Sequence, residues 1–223
     1  MKNTNQISLP TIALLGGTGK EGPGLAMRWA KVGYPIIIGS RQLEKAQNIA
    51  SELNKKLGIS TIIGLQNDEA ARKSDISVLT IKASAHQAAV KSLVDSLKGK
   101  ILVDATARVD FRDPKPPQAP SAARIAQEIL GDDVRVVGAF QTVPAHALKK
   151  NLGGSIEAEV MVCADDLAAA QQVIDLAEAG GMRAYFAGGL DNAVVVEGLV
   201  ALLIAMNKHY GIKTTSIGIT GVQ

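Results

Sequence analysis

Three glycines at fixed spacing, Gly17, Gly19 and Gly22, stand between the apolar run Thr11-Ile12-Ala13-Leu14-Leu15 and the helical stretch Leu25-Ala26-Met27-Arg28-Trp29-Ala30-Lys31. This G-x-G-x-x-G pattern constrains the fold more than any other feature of the chain. A buried strand must turn sharply into a helix, and each glycine has a mechanical task there. The first permits the tight turn, the second lets backbone approach a pyrophosphate, and the third lets the helix pack closely on the strand. The helix that follows aims its free N–H groups and the positive end of its dipole at any phosphate in the turn. Gly33 stops that helix, and Ile36-Ile37-Ile38 reads as a second buried strand.

The end of this second strand, Gly39-Ser40-Arg41, selects the nucleotide. A site for NAD usually places Asp or Glu here to accept hydrogen bonds from the ribose hydroxyls. No acid lies between Tyr34 and Leu43. A carboxylate would repel a 2′-phosphate, whereas the planar fork of Arg41 can hold two of its oxygens. Ser40 can donate to the same group, and Lys45, one helical turn further on, adds charge. The residues therefore point to NADP(H).

The rest of the chain alternates strands with helices. Gln42–Leu57 reads as an amphipathic helix closed by Gly58, Ser60–Ile63 as a strand and Asp68–Lys73 as a short helix. Asp75–Ile81 reads as a strand and Ser84–Leu97 as a helix stopped near Gly99. Lys100–Val103 is a further strand, Ser121–Leu130 a helix capped by Ser121 and ended by Gly131, and Val134–Ala139 a sixth strand. Six strands separated by helices imply an α/β fold, a Rossmann-type doubly wound parallel sheet. Its ligands belong beyond the carboxyl ends of the strands, so the loops after Ile81, Val103 and Ala139 face the nicotinamide half of the cofactor. After Gln141 the pattern shifts to two strands, Val160–Ala164 and Met182–Phe186, around a helix at Asp165–Ala179, then a long helix from Leu190 to His209. The expected organisation is a nucleotide-binding domain over 1–140 and a small C-terminal α+β or helical domain over 141–223.

Two segments stand apart. Asp113–Pro120 holds four of the eight prolines and is stiff and extended, suited to a lid or a dimer-contact arm. Asp104, Arg108, Asp110 and Arg112 precede it, as a salt-bridged strand extension or, for Arg108, a contact to an anionic substrate. Val194–Met206 is apolar nearly all round, interrupted by Glu197, and falls short of the roughly 20 residues of a membrane span. Such a helix has to be buried. In a chain of 223 residues its partner is expected to be another subunit, which gives a homodimer through the 190–209 helix.

Composition limits the function classes. Hydrophobic residues make up 47% of the chain and suffice for a core, while 3% aromatic residues leave little for stacking nucleic-acid bases. The 24 basic and 21 acidic residues are too evenly balanced for a polynucleotide binder. No nucleic acid, membrane or metal partner is expected. Cys163, the only cysteine, lies in Val160-Met161-Val162-Cys163-Ala164 and reads as a buried structural thiol. Met1–Pro10 is polar, reads as a loose tail and lacks the apolar core of a secretory signal. The expected location is cytoplasmic.

The chain resembles the NADPH-dependent reductases of coenzyme F420, a deazaflavin hydride carrier. The resemblance rests on Ala13-Leu14-Leu15-Gly16-Gly17-Thr18-Gly19, on Gly39-Ser40-Arg41 with Lys45, on Val78-Leu79-Thr80-Ile81, on Thr142-Val143-Pro144-Ala145 and on Leu190-Asp191-Asn192. It implies that Thr18, Gly19, Lys20 and Glu21 surround the pyrophosphate and that Ser40, Arg41 and Lys45 hold the 2′-phosphate. It also implies that Ile81, His86 and Ala145 lie along the nicotinamide half, with the C-terminal domain holding F420 against it. Lys82 and Gln141 depart from the family pattern, which has proline and histidine there.

Hydride transfer between two such rings asks the protein for stacking, distance and exclusion of water rather than for a nucleophile or a metal. Among the three histidines, His86, His146 and His209, the one best placed in the sequence to contact the acceptor or relay a proton is His146; His209 sits where it complements a helix dipole. Two other readings share these residues. One is an NADPH-dependent reductase of another small molecule, an imine or a pterin, with a proton donor at Lys82, Arg108 or His146. The other is a non-catalytic NADP-binding sensor.

Overall fold

The computed structural model describes residues 9–222. The reading of residues 1–10 as a loose tail falls almost wholly outside them. One sheet of eight strands organises the chain, in the order β3-β2-β1-β4-β5-β6-β7-β8. The strands are β1 (Ile12–Leu15), β2 (Ile36–Ser40), β3 (Ile62–Gln66), β4 (Ile76–Leu79), β5 (Ile101–Asp104), β6 (Arg135–Gly138), β7 (Glu159–Ala164) and β8 (Arg183–Phe186). The helices are α1 (Gly22–Lys31), α2 (Leu43–Leu57), α3 (Asn67–Lys73), α4 (His86–Lys91), α5 (Val94–Leu97), α6 (Ala122–Leu130), α7 (Leu167–Ala179) and α8 (Ala193–Tyr210).

The six strands expected from sequence form a continuous parallel sheet. β1 and β2 are buried at every position, as a parallel sheet covered on both faces requires. The order reverses at β1, whose neighbours are β2 and β4, so β1 and β4 form the switch point beyond whose carboxyl ends such sheets take their ligands. Leu15, Leu79, Asp104 and Gly138 pair in register and form one row along the carboxyl edge. β7 joins β6 antiparallel and β8 follows β7 in parallel, so the C-terminal strands extend the same sheet.

Two apolar layers cover the sheet. On one face α1, α2 and α7 pack around Ile12, Leu14, Trp29 and Val160. On the other, α3, α5, α6 and the start of α8 close over Ala13, Leu15, Leu79 and Leu102. Arg28 of α1 is buried and donates four hydrogen bonds to backbone carbonyls: Nε to Leu148 (3.0 Å), one terminal nitrogen to Gly154 (3.0 Å) and Gly180 (2.9 Å), the other to Lys150 (2.5 Å). This cation ties the segment after β6 to α1 without a carboxylate partner among the described residues. Burial lowers the guanidinium's affinity for its proton.

Several expectations need correction. The helix over Ser84–Leu97 is broken into a 3-10 turn, α4 and α5, with Ser92 and Leu93 between the two helices. Arg108 lies in no strand extension: its Nε is 3.0 Å from the buried Glu197 of α8, and a terminal nitrogen donates to Gln118 O. Glu197 also accepts from the N–H of Arg108 and of Ala122, the first residue of α6, and burial nonetheless holds its carboxyl above the usual range. This cluster, with Pro116 near Gly198 and Lys208 bonded to Arg112 O, lays the proline segment on α8.

With its lead-in 3-10 turn α8 covers 21 residues, Leu190–Tyr210, long and apolar enough by length and composition to cross a membrane. The apolar stretch Val194–Met206 is thus only part of a longer helix. It is also not buried all round. Val196, Val200 and Leu203 pack inward, while Val195 and Leu202 are more than half exposed. Cys163 is fully buried, and burial pushes its thiol up to about 11, as a structural cysteine requires.

Candidate active site

The glycine turn leaves β1 at its junction with β4. Gly16, rather than Gly17, takes the left-handed backbone (φ 70°), and a side chain there would strike Ile81 Cγ2 at 2.4 Å. Gly17 and Gly22 face each other: a Cβ on Gly22 would lie 2.6 Å from Gly17, so these two let α1 pack against the turn. Gly19 is different. A Cβ there would meet nothing closer than 3.8 Å. The fold leaves room for a side chain at 19, and with glycine there the backbone of the turn stays open to close approach.

The turn is anchored from the side. Asn67, at the start of α3, accepts from the Gly16 N–H through Oδ1 (3.1 Å), and Gly17 N–H donates to Gly39 O (2.9 Å). These bonds fix the turn to the end of β2. Asn67 escaped the sequence reading because its partner is 51 residues away. The N–H groups of Thr18, Lys20 and Glu21 have no backbone acceptor outside regular elements, and they stand where α1 begins with Gly22-Pro23. Open donors at a helix N-terminus are suited to an anion. Glu21 is half-buried, its Oε1 is buried without a partner, and burial pushes its carboxyl up to about 8.

Ser40 ends β2. Its hydroxyl oxygen accepts from Gln42 N–H (3.2 Å), which leaves the O–H free to donate. Arg41 and Lys45 are exposed and make no ion pair among the described residues. Thus a hydroxyl and two uncommitted cations stand beside the strand next to these open donors.

On the other flank, Thr80 donates N–H and O–H to Leu15 O and sets the loop that carries Ile81, which is half-buried over Gly16. His86 is buried, with Nε2 2.6 Å from Oδ2 of the fully buried Asp104 at the end of β5. Asp104 Oδ1 accepts from Thr106 N–H (2.9 Å), and its carbonyl accepts from Gln141 Nε2 (3.1 Å). Ala145 and His146 lie in the segment that Arg28 secures, with Ala145 O facing Gly24 of α1.

Buried polar atoms without a partner concentrate here. Glu21 Oε1, Thr106 Oγ1, Gln141 Oε1 and His146 Nε2 are four of the five among the described residues, and all lie in loops beyond the carboxyl edge of the parallel strands. Buried polar groups in folded proteins are nearly always paired, so a cluster of orphans marks where a ligand or ordered water belongs. Thr106 and Gln141 were not among the site residues read from sequence. Among the described residues no His/Cys/Asp/Glu cluster could hold a metal ion.

Comparison with known proteins gives a consistent set. The family model for NADP oxidoreductases that are coenzyme F420-dependent matches residues 11–108. The F420-dependent NADP reductase of Methanocaldococcus jannaschii is 40% identical over 224 positions, covering 95% of this chain and 99% of that protein. That of Methanothermobacter marburgensis is 35% identical, covering 95% and 98%. A crystal structure from Arthrobacter sp. FB24, described as a candidate F420-dependent NADP reductase, superposes with a TM-score of 0.79 at 24% identity and covers 95% of this chain and 100% of that one. At that identity the likeness speaks for the fold alone.

Proposed function

The chain belongs to the family of F420-dependent NADP reductases, and we propose that it passes a hydride between NADPH and the deazaflavin coenzyme F420 above the carboxyl edge of its parallel strands. One observation carries the placement of the nucleotide: the free N–H groups of Thr18, Lys20 and Glu21 at the β1/β4 switch point stand beside Ser40 and the unpaired Arg41 at the end of β2. An anion site for a pyrophosphate thus adjoins a cationic site for one further phosphate.

In this reading Thr18, Gly19, Lys20 and Glu21 receive the pyrophosphate, and Ser40, Arg41 and Lys45 receive the 2′-phosphate. Ile81, His86 and Ala145 flank the nicotinamide half. Ile81 supplies an apolar surface against which a ring can lie. His86 contributes through Asp104, which it holds in place. When both ring systems are bound, each brings its own reactive carbon, so the protein supplies position and dryness rather than a nucleophile. His146, with Nε2 buried and unpaired, is the side chain in this region best suited to hold or pass a proton. Residues 1–140 carry the nucleotide, and 141–223 supply the deazaflavin site and a dimer surface. The face of α8 that bears Val195, Leu202 and Met206 is the surface assigned to a second copy of the chain. The location assigned in this reading is the cytoplasm. Reduction of an imine or pterin would need a proton donor at the ring, and one candidate for it, Arg108, is committed to Glu197.

The deciding measurement mixes the pure protein with NADPH and oxidised F420 and follows the visible deazaflavin absorbance. Bleaching is expected. Intact NADPH binding with no bleaching would overturn this function.

A further inference from the structure

Phe140 adopts a left-handed backbone (φ 73°), an uncommon state for a bulky residue and one that costs on the order of 1–3 kcal/mol. It is held there by burial and by an edge-to-face contact with Trp29, ring centroids 5.8 Å apart. The turn it makes ends β6 and brings the next side chain, Gln141, back toward β5. There Nε2 donates to Asp104 O, and Asp104 is itself fixed by His86 and by Thr106 N–H. With the amide nitrogen committed, the other end of the amide is determined. Oε1 is an acceptor, it is buried, and no donor among the described residues meets it. A strained turn, a buried histidine–carboxylate contact and a carbonyl together hold one acceptor in a fixed place without using it.

The row Leu15–Leu79–Asp104 puts Gln141's anchor two strands from the glycine turn, about 10 Å along the carboxyl edge, on the side away from Arg41. Resting on the reading of this edge as the NADPH and F420 site, we propose that Gln141 Oε1 accepts a hydrogen bond from a planar amide-type N–H of the redox pair. Two groups have this chemistry: the carboxamide of nicotinamide and the imide N–H of the deazaflavin's pyrimidine ring. Either contact fixes the rotation of one ring about its normal and so sets which carbon faces its partner. Gln141 is then a binding residue that orients a ring, and Asp104 and His86 are positioning residues acting through it.

The test uses binding rather than turnover. Calorimetric titration compares NADP+ with its 3-acetylpyridine analogue, which lacks the amide N–H, and fluorescence titration compares F420 with a deazaflavin methylated at the imide nitrogen. The wild-type protein is expected to bind one of the two analogues about 2- to 12-fold more weakly than its parent, the range for one net hydrogen bond. Gln141→Met should weaken binding of that same parent by a similar factor and abolish the discrimination, with circular dichroism confirming the fold. Loss confined to the nucleotide identifies the carboxamide, and loss confined to F420 identifies the imide. If the wild-type protein discriminates against neither analogue, the proposal is overturned whether or not the variant folds. Unchanged binding of both parents by a folded variant overturns it equally. Failure of the wild-type protein to bind NADP+ and F420 at all would sink the functional reading instead.

Discussion

Replacing Arg28 with Met removes a buried cation whose four donors all end on backbone carbonyls. Two of those acceptors, Leu148 O and Gly180 O, lie in buried hydrogen bonds; the bonds to Lys150 O and Gly154 O are part-buried. A buried acceptor left without a donor costs about 1–3 kcal/mol, so the two buried ones give about 2–6 kcal/mol. Water can reach the other two. Relief from desolvating a guanidinium, a cost visible in its lowered proton affinity, returns part of the loss. The expected net is about 3 kcal/mol, which for a chain of this size is a fall in Tm of about 6–12 °C. Urea and thermal unfolding followed by circular dichroism measure it. Hydrogen exchange should show residues 148–154 opening more than the sheet does, because Arg28 fastens that segment to α1. Arg28→Lys, with a single ammonium, should lie between the two. A loss under 1 kcal/mol, or one with unchanged exchange in 148–154, would refute the clamp.

Arg41→Ala should raise the NADPH Michaelis constant by about tenfold or more and leave Tm unchanged, since Arg41 loses one charge-assisted contact to ligand and none within the protein; steady-state kinetics with NADPH and NADH checks it, and equal use of NADPH by the variant would refute the phosphate assignment. Glu21 has a folded-state value of about 8 against an ordinary 4.5, so the fold holds the extra proton between those limits and stability falls as pH rises through them. Glu21→Gln should therefore stabilise the nucleotide-free protein above pH 8 and change little near pH 4, read from urea unfolding at both ends; a pH-independent effect would contradict the burial argument. Leu202→Glu, on the open face of α8, should halve the mass measured by light scattering, whereas a wild-type protein that is already monomeric would dismiss the dimer surface.

How much of this was legible beforehand differs from residue to residue. The turn between β1 and α1 and the end of β2 at Ser40 could be read because each is a local unit of apolar run, breaker and helix. Local rules also named the caps correctly, with Ser121 accepting from Arg124 N–H and Gly58 closing α2 in a left-handed conformation. They failed where a side chain answers to distant partners. The series Asp104, Arg108, Asp110 and Arg112 reads as a salt-bridged strand extension or, for Arg108, a contact to an anionic substrate, yet Asp104 pairs with His86 and Arg108 with Glu197, 89 residues on.

The order of apolar runs and breakers in the chain was enough to dictate a parallel sheet over its first six strands, because backbone periodicity is a local property. Only the tertiary structure decided that β7 runs antiparallel in the same sheet, that α8 keeps one apolar face open, and that Gln141 presents a bare acceptor. Those outcomes depend on which groups satisfy one another across the fold, and hydrogen-bond pairing between remote segments leaves no periodic trace in a sequence.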